Sequence, residues 1–114
     1  MPRYRHYRVT RFYETVFALK PTLNEEEVSK KVEEIKKFIE KKGGEILYEE
    51  DWGLKNLAYK VSNFQHGRFF IIQFKTNNPQ LPNELDFFMK INEDVIRWLN
   101  FNIKEQEVMA KSNA

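Results

Sequence analysis

The chain has 114 residues, no cysteine and a formal net charge of +2 from 19 basic and 17 acidic side chains. That length argues for one domain around one core, and the missing cysteine excludes disulfides and thiolate metal sites, which fits a reducing cytoplasm. With 41% hydrophobic and 32% charged residues the composition is that of a soluble globular protein. Apolar runs are short, such as Phe69-Phe70-Ile71-Ile72, far below the ~20 residues of a membrane span. No apolar stretch follows the basic N-terminus, so a signal peptide is not expected.

The charge is uneven. Residues 1–11 hold Arg3, Arg5, Arg8 and Arg11 and no acid, so the remainder balances 15 basic groups (19 less 4) against 17 acidic ones. A basic arm on a near-neutral body suits a polyanion, and arginines mixed with aromatics suit phosphate contact and stacking.

After an extension over residues 1–10, the run Arg11 to Leu19 is aromatic and β-branched, stops before Pro21, and reads as a first strand. A helix follows, capped by Thr22 or Asn24 with glutamates in its first turn. Val28, Val32, Ile35 and Ile39 form its apolar stripe, and Gly43-Gly44 supplies a left-handed stop. A long β segment runs from about Glu45 to Val61, with Gly53 as a bend or bulge. Residues 62–67 read as a hairpin loop, and a third strand covers Arg68 to Lys75. Pro82 suits the first turn of a second helix, on which Leu81, Leu85, Phe88 and Met89 share one face. The fourth strand is about Val95 to Ile103.

The order β-α-β-β-α-β predicts an α+β, ferredoxin-like fold: a four-stranded antiparallel sheet with two helices on one face. The expected organisation is a basic extension over 1–10, the domain over 11–104 and a polar tail over 105–114.

Period-two alternation assigns the two faces of the sheet. Tyr13, Thr15, Phe17 and Leu19 fall under the helices with Phe70, Ile72 and Phe74, and with Ile96, Trp98, Asn100 and Asn102. The other face receives Val16, Ala18, Phe69, Ile71, Leu99 and Phe101. It is too apolar for a solvated surface, and such patches mark interfaces. A protein partner is the first expectation for it. A covering tail, self-association and RNA stacking are the alternatives.

Catalytic patterns are missing. His6 and His66 have no carboxylates at metal-ligand spacing, no glycine-rich phosphate loop follows a strand, and no nucleophile elbow occurs. Glu49-Glu50-Asp51 alternate sides on a strand and read as a solvated acidic edge.

Arg11-Phe12-Tyr13-Glu14, Gly43-Gly44, Asp51-Trp52-Gly53 and Leu57-Ala58-Tyr59 occur in this order. Gly67 opens the third strand and Asp94-Val95-Ile96-Arg97 the fourth. Over residues 11–105 the chain resembles ribosomal protein six of the bacterial small ribosomal subunit. The resemblance implies a ferredoxin-like fold and a place in the platform of that subunit. It also implies binding to the central domain of small-subunit ribosomal RNA as a pair with ribosomal protein eighteen, without catalysis, metal, cofactor, membrane or small-molecule substrate. The chain departs from the family in its extension over 1–10, in Asn56 where a second basic residue is usual, and in Lys60 where proline is common.

The expected RNA-facing rim is Arg11, Lys55, Lys60, Arg68 and Arg97, with Arg3, Arg5 and Arg8 adding nonspecific grip. The expected partner face is Val16, Phe69, Ile71, Leu99 and Phe101. Tyr59 is expected to pack its ring beside a basic side chain, and its loss to cost on the order of 3 kcal/mol if the ring is buried. A free-standing RNA-binding module of the RRM type shares the topology and is the alternative reading.

Overall fold

The computed structural model describes residues 9–109. Its elements run β1 (Arg11–Leu19), α1 (Glu25–Lys41), β2 (Gly44–Val61), β3 (Phe64–Thr76), α2 (Leu81–Ile91) and β4 (Val95–Ile103), then a 3-10 turn over Glu105–Glu107. The strands form one antiparallel sheet in the order β2-β3-β1-β4. This is the predicted ferredoxin-like arrangement.

Local chemistry sets the element ends. Asn24 caps α1: its side chain accepts from Glu27 N at 2.8 Å, and the Glu27 carboxylate accepts from Asn24 N at 2.9 Å, which satisfies two otherwise orphaned donors. Gly43 ends the helix region at φ +95, where a side chain would be strained. Gly44 is needed for space, because a Cβ there would lie 2.5 Å from Ile39 Cγ2 and 3.0 Å from Leu81 Cδ2.

The core lies between the helices and the inner face of the sheet. Phe17 and Phe70 stack with ring centres 5.6 Å apart, as do Tyr13 and Phe74. Val28, Val32, Ile35 and Ile39 of α1 close over them with Leu81, Leu85 and Met89 of α2. Asn100 pairs with Thr15 on this inner side, as alternation predicts.

Three expectations are corrected. The hairpin loop is only the pair Ser62-Asn63, at φ 51 and 70, so β3 begins at Phe64 and not at Arg68. Two central residues at positive φ give the tight turn whose twist matches a hairpin, and Phe64 to Gly67 are free to pair with β2. Ile96 does not share the inner face with Trp98. The register slips between Ala18 and Leu19, bringing Val95 opposite Leu19, and Ile96 Cδ1 sits on the outer side near Gly67, beside Ala18. The outer face is also less open than alternation suggests, because Ala18 and Ile71 are buried. Gly53 behaves as expected, at φ +79 where the β2–β3 register shifts.

Candidate docking and nucleic-acid surface

The outer face of the sheet carries the expected partner residues at three depths. Leu99 on β4 is 61% exposed and Phe101 is also exposed. Val16 and Phe69 are half-buried. Ile71 is only 5% exposed. Directly paired residues share a face, so Val16 lies between Ile71 on β3 and Leu99 on β4. The exposed part of the patch is therefore continuous across β1 and β4.

Beside Ile71 the chain covers its own sheet. Gln73, buried on this face, donates from Nε2 to Glu14 Oε1 at 2.7 Å, and its Oε1 accepts from Met109 N at 2.7 Å. The preceding turn is closed by Lys104 N donating to Glu107 Oε1 at 2.6 Å. Val108 is left 1% exposed. Burying that valine contributes about 1.5–3 kcal/mol to holding the segment on the sheet.

The basic residues do not form one rim. Lys55, opposite Gly67, and Lys60 sit on the β2–β3 arm. The arm reaches β4 through Tyr59, whose ring stacks under the Arg97 guanidinium at 5.5 Å, with Arg97 Nη1 donating to its hydroxyl at 3.4 Å. Arg11 lies at the other end of β1, seven residues from Ala18, which pairs with Arg97; that separation is about 23 Å along a strand. Arg68 turns to the helix side, where it donates to Asp51 Oδ2 at 2.6 Å and Glu25 Oε2 at 2.8 Å. Both carboxylates raise its pKa, Asp51 more than Glu25, so its charge is engaged within the chain. Arg3, Arg5 and Arg8 lie outside the described residues.

Tyr59 needs correction in one respect. It does meet a basic side chain, but it is 64% exposed, because the arm runs beyond the body of the sheet. Tyr59→Ala is therefore expected to cost less than about 1 kcal/mol, the scale of an exposed cation–π pair. A thermal melt showing a loss near 3 kcal/mol would contradict this placement.

The Asp51–Arg68 pair makes stability depend on acid. Arg68 holds the Asp51 carboxyl below the usual carboxylate range, burial opposes this, and the Gly53 N–H donated at 2.8 Å adds to the lowering. With the folded pKa depressed, the stabilisation is complete above about pH 4 and is lost as pH falls through the folded value. Because the pair is partly exposed, its contribution at neutral pH is under about 1 kcal/mol. Asp51→Asn is expected to flatten the acid limb of a stability curve below about pH 4, read by urea melts across pH. An unchanged acid limb would assign the effect to other groups.

Sequence reasoning missed Glu14, Gln73 and Val108. A glutamine between Ile71 and Lys75 on the outer parity, and the apolar pair Val108-Met109 in a polar tail, were the available signals. Among the described residues no group of three or more His, Cys, Asp or Glu side chains could hold a metal, and no helix is long and apolar enough to cross a membrane.

Fold and surface define an α+β protein with a partly exposed apolar sheet face beside an aromatic-basic arm. The family model for ribosomal protein S6 matches residues 12–102. The small ribosomal subunit protein bS6 of Aquifex aeolicus is 67% identical over 110 residues, covering 96% of this chain and 98% of the relative. That of a Nitratiruptor species is 43% identical over 97 residues, covering 85% and 75%. The crystal structure of 30S ribosomal protein S6 from Thermotoga maritima superposes with a TM-score of 0.80 at 31% identity, over 92% of this chain and 98% of that one. The chain belongs to the ribosomal protein S6 family, structural proteins of the small ribosomal subunit and not enzymes. The Aquifex match leaves four of the 114 residues of this chain outside it, so at least part of the N-terminal extension has a counterpart there.

Proposed function

We propose that the chain binds the central domain of small-subunit ribosomal RNA together with ribosomal protein eighteen, and that neither chain alone presents the whole RNA surface. The exposed apolar strip of Leu99 and Phe101 beside the Tyr59–Arg97 contact supports this reading. Apolar area of this kind suits a protein partner. The basic groups beside it neutralise phosphate without reading sequence.

Lys55, Lys60 and Arg97 are assigned to the RNA side at the hairpin end, and Arg11 to a separate contact at the far end of β1. Arg68 takes a structural role. The extension over 1–10, with Arg3, Arg5 and Arg8, adds nonspecific grip. Val16, Phe69, Leu99 and Phe101 dock the protein partner, and Ile71 joins them where the sheet is uncovered.

The test is titration of an rRNA fragment across several salt concentrations in the presence of the partner. Arg97→Ala is expected to weaken binding and lower the salt slope by ~1. Deleting residues 1–9 is expected to reduce affinity and salt dependence while keeping discrimination for the proper site. An arm deletion with an unchanged slope would remove the arm from the RNA surface.

A further inference from the structure

The C-terminal segment Lys104 to Met109 folds back over the sheet face that docking requires. Among the described residues its anchors include the buried Val108 and Met109 N, which donates to Gln73 Oε1, while Gln73 Nε2 donates to Glu14 Oε1. Ile71, next to Gln73 on the same face, belongs to the apolar strip and is already buried in the free chain. Val16 and Leu99, in line with it across the sheet, are progressively more open. The apolar strip is thus continuous, but one end of it lies where the chain closes on itself.

We propose that residues 104–109 are a displaceable strap, which occupies the Ile71–Gln73 end of the open face in the free chain and gives it up when the protein partner docks. The inference rests on the docking reading above. The strap lowers the exposed apolar area of the unpartnered chain, and so opposes self-association. It also reduces the apparent affinity for the partner by the fraction of time it is closed. The amide of Gln73 suits this role, since it accepts from the strap and donates to Glu14 within one side chain. When the strap leaves, Gln73 Oε1 becomes free for a donor on the incoming partner.

The test uses the full chain with Val108→Asp. The new carboxylate would enter an apolar site close to the Gln73–Glu14 pair, and position 108 lies outside every strand and helix of the core. Val108→Ile, which keeps an apolar residue, is the control. Two readouts separate the strap from the docking reading. With no partner present, the dye 1-anilinonaphthalene-8-sulfonate is expected to fluoresce more strongly on V108D than on the parent or V108I, because apolar sheet surface is uncovered. In titrations with ribosomal protein eighteen, V108D is expected to bind more tightly, on the order of tenfold for a strap closed about ten times as often as open. Unchanged dye binding would overturn the strap as a cover. Raised dye binding with unchanged or weaker partner affinity would overturn the competition, because the partner would then use only the open part of the face. If dye binding rises and neither protein binds the partner, the docking reading falls and the competition with it.

Discussion

Replacing Phe17 with alanine is expected to destabilise the chain by about 3–5 kcal/mol. The ring is 1% exposed on β1, a central strand of the sheet, stacked on Phe70 of β3 and paired across β4 with Trp98. Trp98 is itself fixed by Nε1 donating to Asp86 Oδ1 of α2 at 2.7 Å. Alanine would open a cavity between partners tied to three different elements, and none can collapse into it without moving its strand or helix. For a domain of this size each kcal/mol lowers the melting temperature by about 4–8 °C, so a drop of at least about 12 °C is expected. The total stability of a domain is about 5–15 kcal/mol, so a loss of this size removes a large share of it. A melt within a few degrees of the parent would show that the core is not organised around this stack.

The second large effect is on association. Leu99→Asp should leave the fold intact, because Leu99 is exposed and contributes nothing to the core cluster. It should nevertheless abolish binding of the protein partner. A carboxylate there would be buried unpaired in an apolar interface, and removing a central apolar anchor alone costs about 2 kcal/mol or more. Affinity is expected to fall by more than about thirtyfold, with a melting curve close to that of the parent. Phe69→Asp is the harsher variant, because Phe69 is half-buried and part of its effect would fall on stability. Unaltered partner binding per folded molecule of L99D would place the docking face elsewhere.

Much of the fold was legible because single residues left few options. The step of three and four through Val28, Val32, Ile35 and Ile39 permits only one buried helix face. Asn24 with Glu27 marks where that helix begins, and Gly43 where it ends. Tyr13, Phe17, Phe70 and Phe74 follow strand parity into the core. Strand parity fails wherever register shifts. Nothing in Val95-Ile96-Arg97 announces the bulge that turns Ile96 outward, since it arises from pairing with Ala18 and Leu19 some eighty positions away. The same limit applies to Arg68, whose partners Asp51 and Glu25 are 17 and 43 residues distant. By charge alone it is indistinguishable from Arg97. The covered end of the open face was foreseen only as one alternative, a tail lying on the patch, because Val108 and Gln73 meet through tertiary folding.

The claim that docking face and basic arm work as one surface with a partner is tested most directly by rRNA-fragment binding with and without ribosomal protein eighteen. At moderate salt the chain alone is expected to bind weakly, as a body of near-zero net charge should. The pair is expected to bind far more tightly than either protein, and L99D is expected to abolish the gain. Equally tight and specific binding of the fragment by the chain alone would contradict the account and identify a free-standing RNA-binding module.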